Sequence, residues 1–124
     1  MKKLLIMIVA CITVLTACNR KDGDWPPIKL SHSTLTVPLE GGTVQTMVIN
    51  YSELWLIGLT RDSKRVVERV DDWRILESPY LTAKSEGQLV IITVAPSNDG
   101  KNHTYVIDVE NGDAFSEITI EQKN

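Results

Sequence analysis

The side chains best suited to chemistry cluster around Trp73, in the run Asp71-Asp72-Trp73-Arg74, with Tyr80 seven residues further on. An indole ring flanked by carboxylates and a guanidinium can hold a saccharide. The ring stacks on an apolar C–H face, and the charged groups bond the hydroxyls. The bland alternative is a tryptophan lying across the open end of a folded domain. Trp25, Tyr51, Trp55 and Tyr105 are the other candidate rings. Trp55 sits inside the apolar run "LWLIGL", which reads as core. Tyr105 alternates with Ile107 and Val109 and reads as core as well. Trp25 lies in a polar segment and can pack against the domain behind it. Aromatic residues make up 6% of the chain, sparse for a dedicated glycan binder.

Other chemistries find less support. The two imidazoles, His32 and His103, stand at opposite ends of the chain's main body and read as loop residues. A metal site would need them brought together with carboxylates and without cysteine help, so no metal and no cofactor is expected. No G-x-S-x-G nucleophile elbow occurs. Asp22 and Asp24, and Asp71 and Asp72, read as solvated turn charges. A glycosidase pair needs carboxyl groups roughly 5 to 10 Å apart across a cleft, which a domain this small has little room to form. The expectation is therefore a protein that is not an enzyme.

Cys18 carries a different chemistry. Lys2 and Lys3 precede the apolar run "LLIMIVACITVL", and the run ends in Leu15-Thr16-Ala17-Cys18. It falls short of the ~20 residues needed to span a bilayer and reads as a secretory signal peptide over residues 1–17. Its last four residues resemble the lipobox of bacterial lipoproteins, in which a soft cysteine thiol takes a diacylglycerol group. The alternative is a plain signal peptide with a chance cysteine. The lipobox reading implies a lipidated Cys18, a membrane partner through that anchor, and an outer-membrane lipoprotein on the periplasmic or cell-surface face. Two or more acyl chains anchor stably where one does not.

The whole chain carries a net charge of −3, and the leader would take two lysines with it. An acidic remainder excludes a nucleic-acid partner. Cys11 would leave with the leader and Cys18 would be acylated, so no disulfide is expected. Residues 18–30 hold the lipidated cysteine and "NRKDGDWPPIKL", whose Pro26-Pro27 pair reads as an extended tether. The "KDGD" acids also resemble, loosely, the surface-export signal of Bacteroidetes lipoproteins.

Residues 31–124 switch to short β-rich runs. "STLTV" (33–37) leads into the turn "PLEGG" (38–42). "TVQTMVIN" (43–50) alternates with period two. "ELWLIGLT" (53–60) is apolar throughout and suits a strand buried on both faces. A hairpin turn is expected at Glu86-Gly87, before "LVIITV". "NDGKN" and "NGD" are turns by composition. "HTYVIDVEN" (103–111) and "AFSEITIEQ" alternate again. Residues 61–73 are ambiguous: Val66, Val67 and Val70 fit a helical turn, while the interleaved charges fit an edge strand or long loop. About seven short strands at this spacing predict an all-β sandwich or barrel in a single domain.

The "GG" turn, Trp55, Asn98, the strand "TYVIDV", Asn111-Gly112 and the closing Ile118-Thr119-Ile120-Glu121-Gln122 occur in the order found in a Bacteroidetes module, the BACON domain. The resemblance covers roughly residues 33–122. It implies an immunoglobulin-like sandwich and an association with carbohydrate. One departure is His103, which stands where members carry an arginine. A mostly neutral imidazole is expected to brace the adjoining turn less well. The resemblance and the residues together predict a lipid-anchored, non-catalytic envelope module with a polysaccharide or glycan partner. Trp73, Tyr80, Asp71, Asp72 and Arg74 are the candidate binding residues. The rival expectation is a structural spacer or assembly subunit that meets an envelope protein through an exposed sheet edge.

Overall fold

The computed structural model describes residues 26–124. The expected leader 1–17, Cys18 and Trp25 lie outside the described residues. Nine strands follow one another: β1 (Thr34–Val37), β2 (Gly42–Met47), β3 (Trp55–Arg61), β4 (Lys64–Val67), β5 (Ile75–Glu77), β6 (Leu81–Glu86), β7 (Leu89–Val94), β8 (His103–Asn111) and β9 (Ala114–Gln122). They form a five-stranded sheet, β1-β9-β8-β3-β4, facing a four-stranded sheet, β2-β7-β6-β5. The pairings are antiparallel except that of β1 with β9, which is parallel. This is an all-β, two-layer sandwich, one of the two architectures the strand spacing allowed.

Period-two alternation explains the core. On β8, His103, Tyr105, Ile107 and Val109 point inward and are buried. On β9, Ala114, Ile118, Ile120 and Gln122 do the same. Leu81 and Ala83 on β6 and Val90, Ile92 and Val94 on β7 close the other side. Buried polar groups are partnered, as they must be to avoid a desolvation cost. Ser85 Oγ donates to Leu54 O at 2.5 Å and so ties one sheet to the other. Thr46 Oγ1 donates to His32 O at 2.6 Å.

Two strands exceed the expected seven because short elements carry weak patterns. Residues 61–73 contain β4, an edge strand, and then a segment that runs on along β3. In that segment the Val70 N–H donates to Ile57 O, and the Leu56 N–H donates to Trp73 O. The chain next crosses to the other sheet as β5, which no sequence pattern marked. The β3–β4 turn uses Asp62 and Ser63, both at positive φ (49° and 71°). That conformation usually selects Asn-Gly or Asp-Gly, so a lone Asp-Ser pair gave no signal. The turn after β6 falls on Gly87-Gln88, one residue beyond the expected pair, with Gly87 at φ 60°.

Residues 28 and 30, expected in the tether, pack on the sandwich instead. Ile28 is buried in the core, and Leu30 bridges Val48. The Tyr51 hydroxyl donates to Pro26 O, and Asn50 Nδ2 donates to Pro27 O. The Pro-Pro pair lies against the sandwich because these side chains bind its carbonyls.

Candidate functional site

The outer face of the five-stranded sheet is built by the residues that alternate with the core set. Across one end of it, Trp55 on β3 is paired with Glu110 on β8, and Glu110 with Phe115 on β9. Cross-strand partners share a face, so the three side chains stand in a row. Phe115 and Trp55 are two strands apart, ~10 Å. Trp73 extends the row: its ring centroid lies 5.9 Å from that of Trp55, with the planes tilted by 53°. Phe115 is the most exposed large hydrophobic among the described residues, at 69%.

Trp55 therefore does not enter the core, contrary to the expectation from its apolar run. Leu54 and Leu56 on either side of it are fully buried, and alternation turns the indole outward. It is half-buried, and its Nε1 donates to Glu53 Oε2 at 3.2 Å.

Beside the aromatic row lies an open groove of about 780 Å³, whose lining includes Ile57, Arg69, Glu110, Phe115, Glu117 and Thr119. Asp108 borders it and is bound by Arg65 Nη1 at 2.5 Å. The Arg65 guanidinium reaches Asp108 by lying across Gly58, and its Nη2 also donates to Glu68 O. Gly58 sits at a β-bulge in the β3–β8 pairing, where the missing side chain makes room for that arm.

The candidate residues taken from the sequence separate into two places. Asp72 Oδ1 accepts from the Arg74 N–H at 3.0 Å and from Arg74 Nε at 3.3 Å. Those bonds, the backbone one first, hold its carboxyl below the usual range. The Arg74 guanidinium lies 5.3 Å from the Trp73 ring centroid. Asp71 and Asp72 also border a smaller depression of about 390 Å³ with Arg69 and Ile75. Trp73, Asp71, Asp72 and Arg74 thus remain together.

Tyr80 is elsewhere. The Ser85 N–H bonds Arg74 O at the end of β6, while Tyr80 precedes the start of that strand. Tyr80 packs on the core and on Tyr105, with ring centroids 6.3 Å apart, and Arg61 covers its face at 4.1 Å. A sequence separation of seven residues, spanning β5 and a turn, does not make one platform of Trp73 and Tyr80.

His103 is neither a loop residue nor a weak brace. It opens β8 and is buried. Its Nδ1 lies 2.6 Å from Asp62 Oδ2, and its Nε2 lies 2.8 Å from Asp99 Oδ1. Asp62, then Asp99, pushes the imidazole up from its ordinary value, against the opposing effect of burial. A protonated ring can donate from both nitrogens, and so it ties the β3–β4 turn to the β7–β8 turn. The two carboxylates face opposite ring nitrogens, so they do not converge with it on one cation.

Gln122, the closing residue of the final strand, is fully buried. Its Nε2 lies 2.9 Å from Ala95 O and 3.3 Å from both Pro38 O and Leu39 O. It pins the β1–β2 turn and the exit of β7 to β9. The spacing Ile118-x-Ile120-x-Gln122 thus has a physical reason, since all three side chains point inward.

Sequence reasoning missed Phe115, Glu110, Arg69, Asp62 and Asp99. For Phe115 a signal existed. It alternates in phase with Glu117, Thr119 and Glu121, which places it on the polar face. For the others the determining relation is long-range pairing.

No family model matches the sequence, and no curated protein matches it. Solved structures do resemble it. A protein of Bacteroides thetaiotaomicron solved by nuclear magnetic resonance superposes with a TM-score of 0.66 and 21% identity, over 85% of this chain and 95% of that one. The M1 domain from titin superposes with a TM-score of 0.50 and 16% identity, over 78% of this chain and 93% of that one. At these identities the likeness concerns the fold, and this chain is an immunoglobulin-like β-sandwich.

Proposed function

We propose that this chain is a lipid-anchored, non-catalytic module of the bacterial envelope, of the BACON type, that holds a saccharide on the outer face of its five-stranded sheet. The observation that carries the reading is the row Trp73, Trp55 and Phe115 beside the groove lined by Arg69, Glu110, Glu117 and Thr119. An exposed phenyl ring and two half-buried indoles suit the apolar side of a pyranose, and the polar lining suits its hydroxyls. The set keeps Trp73, Asp71, Asp72 and Arg74 from the sequence reading and exchanges Tyr80 for Phe115. The groove is an open surface. Asp108 on its border is committed to Arg65, which suits holding a chain better than cleaving one.

Three of the four edge strands, β4, β5 and β2, favour this reading over assembly by strand addition. β4 presents Lys64 and Arg65, with Glu68 and Arg69 directly after it, a charge-blocked edge. β5 is three residues long, and the end of β2 is covered by residues 29–31.

The test is a titration of the purified chain, freed of its leader, against a panel of neutral soluble polysaccharides, followed by tryptophan fluorescence. Binding should shift the emission, because two of the three tryptophans stand in the row. Phe115→Ser and Trp73→Ala should each weaken binding about tenfold, or 1.4 kcal/mol. Ile49→Ser, on the other sheet, should leave it unchanged. A panel without any response, or full binding by Phe115→Ser, refutes the proposal.

A further inference from the structure

We propose that the end of the sandwich carrying His103 is a pH-gated latch, in which ring atom Nε2 exchanges Asp99 for Arg61 as its proton leaves. The argument is one of donors and acceptors. An ionised carboxylate only accepts. His103 has one at each nitrogen, Asp62 at 2.6 Å and Asp99 at 2.8 Å. Donation from both nitrogens, as in an imidazolium, satisfies both carboxylates.

Arg61 Nη2 lies 3.0 Å from the same Nε2. While the ring is charged, this is a contact between two donors, balanced by the two carboxylates and by Asn98 Oδ1, which accepts from Arg61 Nη2 at 3.3 Å. Once Nε2 loses its proton it becomes an acceptor, and Arg61 is already placed to donate to it. Asp99 is left facing a lone pair.

The two carboxylates are not held equally. Asp62 also accepts from the Thr104 N–H at 2.8 Å, and its own N–H donates to Thr104 O. It is fixed to β8, so Nδ1 keeps its proton for it. Asp99 belongs to the exposed turn after β7. Its other partners, Ser97 Oγ and the Lys101 N–H, lie within that same turn. Loss of the Nε2 proton therefore frees Asp99 from β8, while the Ser97 N–H on Leu39 O and Asn98 on Arg61 still hold the start of the turn.

The remaining groups facing this end do not take over. Tyr105 stands 6.4 Å from the imidazole, ring to ring, and its hydroxyl is shared between Arg61 and Gln122. Tyr80 lies beneath Arg61. Glu121 and Lys123 on the β9 side bind each other at 3.1 Å. The raised imidazole and the lowered Asp99 and Asp62 carboxyls agree in direction with the latched form.

The test is a pH titration of the isotopically labelled chain by nuclear magnetic resonance, following the His103 ring and the amides of residues 97–102. The ring midpoint should lie above that of histidine in a short peptide, and the turn amides should shift with the same midpoint. Asp99→Asn, a change in an exposed turn, should lower that midpoint and abolish the response of the turn. His103→Gln, which has no titrating ring, should make the turn amides insensitive to pH over this range. A ring midpoint at or below the peptide value, turn amides that ignore it, or an unchanged midpoint in Asp99→Asn would each overturn the latch.

Discussion

Replacing Gln122 by leucine is the sharpest test of how the sheets are held together. The change keeps a side chain of similar length but removes the amide that faces three carbonyl oxygens. Two of these have a second donor: Pro38 O receives the Gly41 N–H, and Leu39 O receives the Ser97 N–H. Ala95 O, at 2.9 Å, has the nearest contact with the amide. Leaving one buried carbonyl unpartnered costs about 1–3 kcal/mol, and each weakened bond costs up to about 1 more. The expected loss is about 2–3 kcal/mol. For a domain of this size that lowers Tm by about 8–20 °C.

Urea unfolding followed by tryptophan fluorescence measures the loss directly. Gln122→Glu adds a second reading. At neutral pH it sets a buried negative charge against carbonyl oxygens, a worse arrangement than leucine. In acid the protonated carboxyl can donate again. The glutamate variant should therefore regain part of its deficit relative to wild type as pH falls. A leucine variant within 0.5 kcal/mol of wild type, or a glutamate variant with no acid recovery, would refute the view that this amide staples the sheets.

Other outcomes follow from the same geometry. Gly58→Ala places a methyl group on the Arg65 guanidinium and 2.6 Å from Val67 O. The arginine can move but the backbone carbonyl cannot, so a loss of about 1–3 kcal/mol is expected in urea unfolding. Arg65→Ala removes an ion pair whose side chains are about one-third exposed, and should cost less than about 1 kcal/mol. Stability should be greatest between the carboxylate and imidazole ranges. The raised His103 contributes fully below its unfolded value and loses that contribution as pH rises through its folded value. The lowered Asp62 and Asp99 contribute above their unfolded values and lose that contribution as pH falls through their folded ones. Thermal melts from pH 4 to 9 should trace this plateau, and His103→Gln should flatten its alkaline side. Phe115→Ser should leave Tm unchanged, since the ring is largely in solvent.

Local alternation was enough to read most of the strands. The inward set on β8 and β9 follows from "HTYVIDV" and "EITIEQ" alone, because side chains on a pleated strand must alternate faces. The same rule separates Phe115 from Ile118, and it buries Gln122 with the isoleucines. The continuous apolar run around Trp55 carries no such alternation, so its direction was not legible there. It was decided by pairing with Glu110, some 55 residues away in sequence. The separation of Tyr80 from Trp73 and the meeting of His103 with Asp62 and Asp99 are of the same kind. Each depends on which turns the sandwich brings to one end. Composition and period bound a class of fold, but a constellation drawn from separate turns exists only once long-range strand register has been set. That register is set by which faces two distant strands bury together and by the geometry of the turns between them, and neither is contained in one local stretch.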